Sequence, residues 1–317
     1  MTVESIRDFA DEMGRLGIEV AFDAPFGALT TYRVGGTAAA MLGLSDEETL
    51  CRAAVAASRR GIRVVVLGRG SNMLVSDDGF DGVVLRLSGS FEELDVDEGS
   101  GRVVAGSAAL LPVVARRTAA AGLVGFEWAV GVPGTIGGAV RMNAGGHGSD
   151  MAAAVESVTV LDPRTGVFED RNSGRLGFHF RGSALLPDEV VIRVRLGLER
   201  GSSAEALARI DEIVRWRREN QPGGQNAGSV FVNPVPGEVT AGRLIDEAGL
   251  RGFRIGSAEV SSKHANFIQA DEHGRASDVL DVMRYVHEVV LARSGHSMRS
   301  EIRLVGFVDD ERSGVEK

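Results

Sequence analysis

Cysteine is nearly absent from this sequence, and its absence excludes two kinds of site. Among 317 residues only Cys51 carries a thiol. A single thiol forms no intrachain disulfide and cannot supply the cysteine cluster of a zinc or iron–sulfur site. The six histidines include no pair at metal-ligand spacing on one helix. We therefore expect no metal centre.

Long apolar runs and clusters of basic residues are missing as well. No segment is apolar over the ~20 residues that span a bilayer, and the N-terminus resembles no secretory signal. We therefore expect a cytoplasmic protein without membrane insertion. The net charge of −9 and the pI near 5.3 argue against nucleic acid as a partner. No feature indicates an obligate protein partner.

The signatures of a serine hydrolase are also missing. The sequence contains no Gly-x-Ser-x-Gly elbow. His147, Ser149 and Asp150 lie too close together along the chain to suggest a catalytic triad. The sequence therefore contains no sign of a serine hydrolase.

Glycine is in excess, with 42 of 317 residues against a usual ~7%, and it is clustered. The densest stretch is Gly125–Gly148, where eight of 24 residues are glycine. Consecutive N–H groups in glycine-rich turns form concavities that bind anions. Trp128, Val130, Val132 and Ile136 can line an apolar wall beside them. These residues predict a site for a flat, phosphate-bearing ligand; the alternative is a glycine-rich surface turn.

A second glycine-rich turn follows an apolar segment. Ile62–Leu67 predicts a strand buried on both faces, and Gly68-Arg-Gly-Ser-Asn72 comes directly after it. Such a turn suits a diphosphate. It is not the dinucleotide fingerprint, because Met73 stands in place of the third glycine and residues 74–79 predict a strand and a turn. A doubly wound nicotinamide-binding fold is therefore disfavoured.

Periodicity and capping signals predict the elements between these turns. A capping box at Ser45–Glu48 predicts a helix to about residue 60, and Ser202 with Glu205 predicts one whose inner face carries Leu207, Ile210 and Val214. The other predicted helices cover 4–16, 108–121, Ala241–Ala248 and Ala276–Ser294. Predicted strands cover Val83–Leu87, Leu94–Val96, Val103–Ala105, Val158–Leu161, Val190–Leu196 and Ser300–Phe307.

The stretch Gly131–Gly145 resembles the second flavin-contacting segment of the UDP-N-acetylenolpyruvoylglucosamine reductase family. The segment from Leu29 to Gly36 resembles the first such segment of that family. Four later segments are similar to family motifs in the same order. They are Gly177–Ser183, Asn226–Pro234, Val260–Ile268 and Ser300–Phe307.

The resemblance implies the fold and the cofactor. Gly-x-Gly-Ser-Asn is similar to the pyrophosphate loop of the vanillyl-alcohol-oxidase/PCMH type. The implied α+β fold is a two-part FAD-binding domain, at 1–87 and 88–204, followed by an α+β substrate-binding domain at 205–317. Ser71 and Asn72 cannot attach a flavin covalently, so we expect dissociable FAD. The implied FAD-binding residues are Tyr32, Arg33, Gly68, Arg69, Gly70, Ser71, Asn72, Met73, Val132, Pro133, Gly134, Thr135, Gly137, Gly138, Ala139, Asn143, Ala144 and Gly145.

The resemblance also implies the reaction, in which NADPH reduces FAD and the enolpyruvyl ether of UDP-N-acetylglucosamine then takes the hydride. Ser229 is implied as the proton donor to the substrate. Arg181 and Glu301 are implied to stabilise the charge that develops on the substrate carboxylate. Asn233 and Lys263 are our candidates for contacts to the UDP-sugar diphosphate.

One departure from the family pattern and two alternatives accompany this interpretation. Phe180 replaces a tyrosine that is common in the family, and no tyrosine-bearing insertion is present, which favours the shorter type of reductase.

The first alternative function is an FAD-dependent oxidase or dehydrogenase of the same fold, which would act on an alcohol or a hydroxy acid. A non-catalytic nucleotide-sugar-binding protein would be colourless. Without the resemblance, Arg181, Ser229 and Glu301 also fit ordinary surface, turn and strand positions.

Overall fold

A computed structural model describes residues 3–308 and divides them into two compact units. The first unit contains residues 3–22, 40–68 and 82–217. The second unit contains residues 23–39, 69–81 and 218–308. The predicted division at residues 87 and 204 stays a prediction.

The described residues form seven α-helices. In chain order they are α1 (Val3–Arg15), α2 (Glu47–Arg59), α3 (Leu111–Ala120), α4 (Ile136–Arg141), α5 (Ser203–Asn220), α6 (Ala241–Glu247) and α7 (Ala276–Ser294). All the predicted helices form, and α4 is an addition within the glycine-rich stretch. Between residues 3 and 308, none of these helices is long and apolar enough to cross a membrane.

Most strands are short. In chain order within residues 3–308 they are β1 (Val20–Ala24), β2 (Ala38–Leu44), β3 (Val64–Leu67), β4 (Met73–Val75), β5 (Phe80–Leu87), β6 (Leu94–Asp97), β7 (Arg102–Gly106), β8 (Leu123–Val124), β9 (Gly145–Gly146), β10 (Ser149–Asp150), β11 (Val155–Asp162), β12 (Val167–Asn172), β13 (Val190–Gly197), β14 (Glu199–Arg200), β15 (Arg254–Ile255), β16 (Ala258–Val260), β17 (Ile268–Ala270) and β18 (Arg303–Val305).

The first unit is built on a five-stranded antiparallel sheet with the order β12-β11-β13-β7-β6. Val158, Val160, Val194 and Leu196 project from the inner strands into a core that also contains residues of α3 and α5. A second sheet has the order β1-β2-β5-β3, in which β3 pairs in parallel with β5. The last residues of β1 and the first residues of β2 and β5 belong to the second unit.

The second unit packs α7 against the sheet β15-β16-β17. The predicted inner face of α7 is confirmed, since Leu280, Met283, Val286 and Val290 are buried. A carboxylate caps the start of this helix, because Asp77 accepts N–H bonds from Ala276 and Ser277 at 2.8 and 3.0 Å. Burial raises the pKa of Asp77, but these bonds outweigh it, so the pKa lies below its usual value.

Three local predictions need correction. The strand predicted at Ile62–Leu67, with both faces buried, begins at Val64; its residues alternate between partly exposed and buried, so only one face of this edge strand is fully buried. On the inner face of α5, Ile210 is buried as predicted and Val214 packs against the core, but Ala206 and Ile213 complete this face and Leu207 is exposed. The strand predicted at Ser300–Phe307 is confined to Arg303–Val305.

The start of α2 also differs from the prediction by one residue. The N-cap is Asp46, whose carboxylate accepts the N–H of Thr49 at 2.8 Å. Ser45, the predicted cap, lies one residue before it, and its hydroxyl reaches only the Asp46 side chain, at 3.5 Å. An aspartate and a serine compete equally well for this position, so the backbone decides between them.

We expect Asp46→Ala to lower the free energy of unfolding by about 1 kcal/mol, because the first turn of α2 loses its side-chain acceptor. Urea unfolding followed by circular dichroism measures the change. Ser45→Ala is the matched control and leaves the midpoint of the transition in place. A larger loss in the Ser45 variant would contradict the assignment of the cap.

Candidate active site

The glycine-rich stretch of the first unit alternates short helical turns with loops. A 3-10 turn at Glu127–Gly131 precedes α4, and β9 pairs with β10 after it. Trp128, Val130 and Ile136 are buried in the core of the first unit, and Val132 packs against that core. The predicted apolar ligand wall is therefore largely core packing. These side chains hold the loops in place.

Glycine at position 137 is required by a close approach of two main chains. The N–H of Gly137 donates to the carbonyl oxygen of Ser107 at 2.9 Å, and that of Ile136 donates to Ala109 at 2.9 Å. A Cβ on Gly137 would lie 2.8 Å from the Cβ of Ser107. A Cβ on Gly68 would similarly lie 2.6 Å from Oγ1 of Thr135. Gly68 and Thr135, both predicted to bind FAD, are thus neighbours in the first unit.

Asn143 organises the loop that follows α4. Its backbone has a φ of +38°, and its side chain is buried. The side-chain amide donates to Asp150 and to the carbonyl oxygen of His179, each at 3.1 Å. Its oxygen accepts the N–H of Ala152 at 3.0 Å. The side chain of Asn143 therefore fixes the loop, and a contact of this residue with FAD stays a prediction.

Arg181 lies beside the same loop of the first unit. Its Nη1 donates to the carbonyl oxygen of Gly145 at 3.2 Å, and its guanidinium lies 5.4 Å from the ring centre of Phe180. The backbone of Arg181 has a φ of +58°, in a tight loop closed by a bridge between His179 and Gly182. Phe180 supplies an aromatic face under the cation and no hydroxyl.

Two predicted FAD-binding segments meet within the second unit. Gly70 has a φ of +59°, and a Cβ on it would lie 2.7 Å from Cα of Thr30. The N–H of Thr31 donates to the carbonyl oxygen of Gly70 at 3.2 Å. Thr31–Val34 form no strand: Thr31 and Tyr32 lie in a bend, and Arg33 and Val34 have no regular secondary structure.

The second unit also brings Ser229 and Glu301 onto paired segments. The N–H of Glu301 donates to the carbonyl oxygen of Val230 at 2.8 Å, and Phe231 forms a bridge with Ser300. Asn72 joins them, since its side-chain amide donates to the carbonyl oxygen of Glu301 at 2.9 Å. The predicted proton donor, carboxyl group and pyrophosphate loop are therefore linked through backbone hydrogen bonds. Arg181 belongs to the first unit.

The two substrate candidates have structural contacts within the second unit. Oδ1 of Asn233 accepts the N–H of Ala241 at 3.0 Å, at the start of α6. Nζ of Lys263 donates to the carbonyl oxygen of Arg218 near the end of α5. Their roles toward the UDP-sugar diphosphate stay predictions.

The residues present fit a polar cofactor such as FAD. Within residues 3–308, three buried polar atoms near the predicted segments lack a hydrogen-bond partner: the Tyr32 hydroxyl, Oγ of Ser107 and Nε1 of Trp128. A buried donor without a partner costs ~1–3 kcal/mol, which a cofactor acceptor would recover. Burial raises the pKa of Tyr32, so its phenol stays a donor at neutral pH. Sequence reasoning missed Ser107, because only the fold places it opposite Gly137.

Comparisons with known proteins agree across nearly the whole chain. Residues 38–170 match an FAD binding domain, and residues 220–305 match the C-terminal domain of UDP-N-acetylenolpyruvoylglucosamine reductase. The UDP-N-acetylenolpyruvoylglucosamine reductase of Paramagnetospirillum magneticum is 40% identical over 311 residues, covering 98% of this chain and 99% of the relative. That of Heliobacterium modesticaldum is 41% identical over 285 residues, covering 89% of each chain.

A solved structure supports the same assignment. The crystal structure of UDP-N-acetylenolpyruvylglucosamine reductase from Thermus caldophilus aligns with a TM-score of 0.77 at 38% identity, covering 91% of this chain and 98% of that chain. The predicted α+β fold, in which an FAD-binding domain is followed by an α+β C-terminal domain, is confirmed.

We expect Gly137→Ala to lower both stability and flavin content. The added methyl group would collide with Ser107, and overpacking of this kind costs about 1–3 kcal/mol. The ratio of flavin absorbance to protein after purification measures the effect. Gly146→Ala is the control, because a Cβ there meets nothing within 4 Å. Equal flavin content in the two variants would contradict the proposed constraint.

Tyr32→Phe separates cofactor binding from packing. The ring is retained and only the buried hydroxyl is lost, so the apoprotein should be as stable as the parent or slightly more stable. Loss of a hydrogen bond to FAD should weaken binding by about 0.5–1.5 kcal/mol. Titration of the apoprotein with FAD tests this, with urea unfolding of the same sample as reference. An unchanged FAD affinity would rule the hydroxyl out as a cofactor ligand.

Proposed function

The chain belongs to the family of UDP-N-acetylenolpyruvoylglucosamine reductases, and we propose that it catalyses the reaction that this name describes. NADPH-dependent reduction of UDP-N-acetylglucosamine enolpyruvate yields UDP-N-acetylmuramate, a precursor of peptidoglycan. The enzyme is an FAD-containing oxidoreductase, a UDP-N-acetylmuramate dehydrogenase. An oxidase of the same fold is disfavoured, since residues 220–305 match the C-terminal domain of the reductase.

One observation carries the assignment of the chemical step. The segment that contains Ser229 and the segment that contains Glu301 are joined by the hydrogen bond from Glu301 N–H to Val230 C=O. The Asn72 side chain then ties Glu301 to the loop predicted to bind the FAD pyrophosphate. A hydroxyl and a carboxyl are thereby held on one backbone network with a cofactor loop. The proposed reaction uses a proton donor and a carboxyl group beside the cofactor, and this network supports their assignment to Ser229 and Glu301.

Ser229 donates the proton in this proposal. Hydride adds to the terminal carbon of the enolpyruvyl double bond, and the electron pair moves toward the substrate carboxylate. The other carbon then takes the proton of the Ser229 hydroxyl. A hydroxyl is a weak acid, but it is far more acidic than the C–H bond that forms, so the transfer is downhill. Ser229 is partly exposed, which leaves the hydroxyl accessible.

Arg181 and Glu301 stabilise the charge that develops on the substrate carboxylate. The guanidinium of Arg181 is a permanent cation with several fixed donors, and its side chain is already oriented by Gly145 and Phe180. Glu301, when protonated, donates a hydrogen bond to the same carboxylate. Preorganised donors of this kind lower a barrier by ~2.7–4 kcal/mol each.

The chain binds its cofactor without a covalent bond. When bound, FAD supplies hydride transfer between NADPH and the sugar nucleotide. In this proposal the cofactor is held by Gly68–Met73, Val132–Thr135, Gly137–Ala139 and Asn143–Gly145, together with Tyr32 and Arg33. Support for this comes from the close main-chain contacts at Gly70 and Gly137.

The UDP-sugar diphosphate is bound by Asn233 and Lys263 in this proposal. Lys263 supplies positive charge near the end of α5, and Asn233 supplies an amide at the start of α6. Both would keep their present backbone contacts, since each side chain has further hydrogen-bonding capacity. We place the reaction in the cytoplasm, where NADPH and nucleotide sugars are available.

Ser229→Ala should affect only one of the two half-reactions, the reoxidation of the flavin by substrate and not its reduction by NADPH. We expect NADPH to bleach the bound flavin at a rate within about twofold of the parent, because no proton donor to substrate is involved. Reoxidation by UDP-N-acetylglucosamine enolpyruvate should fall by about 10²–10⁴-fold, the usual contribution of a general acid. Anaerobic stopped-flow absorbance follows both steps. The exposed Ser262, changed to Ala, serves as control, and an unchanged reoxidation rate would reject Ser229 as the donor.

A further inference from the structure

Asn266, within the Val260–Ile268 motif, makes an unusual set of contacts for a side chain to which no role is assigned. It lies in the loop between β16 and β17 of the second unit and is 5% exposed. Its Oδ1 accepts the N–H of Phe231 at 3.0 Å, and its Nδ2 donates to the carbonyl oxygen of Phe231 at 2.9 Å. Its own carbonyl oxygen accepts the N–H of Val230 at 2.9 Å.

These bonds hold a segment that has little regular structure of its own. Residues 226–230 are irregular, and Phe231 and Ser300 make only an isolated bridge. Asn266 supplies the missing strand partner, because its planar amide pairs with both polar groups of Phe231. On the other side, the Val230 carbonyl accepts the N–H of Glu301. Val230 is therefore bonded to Asn266 through its N–H group and to Glu301 through its C=O group.

Asparagine is the residue type that the two hydrogen bonds to Phe231 require. A side-chain amide has one acceptor and one donor at the separation of a peptide group, as the two bonds to Phe231 require. Leucine would leave two buried backbone groups without partners, and an ionised aspartate would face the Phe231 carbonyl oxygen with a like partial charge. The neighbouring Ala265 and Phe267 are buried by packing alone and have no such requirement.

We propose that Asn266 is a positioning residue for the proton-transfer step: by clamping Val230 and Phe231, it fixes the Ser229 hydroxyl relative to the Glu301 segment. This inference rests on the proposed function, which assigns the chemistry to Ser229 and Glu301. Asn266 itself acts through the backbone of its neighbours. A bidentate buried clamp removes the rotation of the segment that would move the hydroxyl away from its working position.

Asn266→Asp provides a test that a merely structural residue would not pass. The carboxylate keeps the bond from the Phe231 N–H but repels the Phe231 carbonyl oxygen. When protonated, the same group donates to that oxygen and restores both bonds. Burial raises the pKa of a carboxyl group, so restoration falls within an accessible pH range.

In the holoenzyme, we expect substrate-driven flavin reoxidation at pH 8 to be slowed about 10-fold or more by Asn266→Asp, since misplaced catalytic groups cost up to ~10² in rate. The ratio of variant rate to parent rate should rise several-fold as the pH is lowered to ~6. NADPH-driven bleaching should stay within about twofold of the parent rate at both pH values.

Asn266→Ala should slow substrate-driven reoxidation at pH 8 and show no recovery of the rate at pH ~6. Asn172→Asp is the control, because that exposed side chain only accepts an N–H, from Arg175 at 3.1 Å.

Hydrogen exchange measured by mass spectrometry supplies a readout independent of catalysis. Exchange of the amides of Val230 and Phe231 should accelerate in Asn266→Ala, while that of α7 stays at the parent rate. Unchanged exchange, or an equal slowing of both half-reactions, would overturn the proposal. If exchange accelerates but Ser229→Ala leaves reoxidation intact, the proposed role of Ser229 fails and the positioning role of Asn266 fails with it. If Ser229→Ala blocks reoxidation and Asn266→Asp does not slow it, the positioning role alone is overturned.

Discussion

Close approach of main chains is the constraint on which both predicted flavin-binding regions depend. In the second unit the turn at Gly70 lies against Thr30, and in the first unit Gly137 lies against Ser107. Any Cβ at these two positions would lie within 3.0 Å of a neighbouring atom, far inside ordinary contact. The glycines are therefore needed first to let two segments of protein touch. The main-chain N–H groups that remain free in such turns are then available to an anionic ligand.

Asparagine side chains form hydrogen bonds with backbone groups that have no partner in regular secondary structure. Asn143 fixes the loop after α4, Asn72 binds the carbonyl oxygen of Glu301, and Asn266 pairs with Phe231. Each has an acceptor and a donor on a short, planar group, so it can replace a missing peptide partner. Irregular backbone is thereby held without a sheet. Catalytic side chains that must project from short loops depend on such support, because buried polar groups of the backbone need partners.

The arrangement of Arg181 shows how a departure from the expected motif is accommodated. Phe180 takes the place of the usual tyrosine and lies under the guanidinium, while Gly145 accepts one of its N–H groups. The aromatic face is kept and the hydroxyl is lost. Orientation of the cation therefore rests on the ring and on the loop, and does not require the phenol.

Local patterns in the sequence determined the helices, the glycine-rich turns and the family to which the chain belongs. The inner face of α7 follows from spacing within 19 residues, and periodicity of this kind needs no knowledge of distant residues. The choice of Asp46 over Ser45 as a cap depended on backbone angles, and the inner face of α5 depended on its neighbours. The pairing of Asn72 with Glu301 spans 229 positions, and that of Asn266 with Phe231 spans 35. Only the tertiary structure decided those contacts, because the partner of a buried amide depends on which distant residues the folded chain brings next to it.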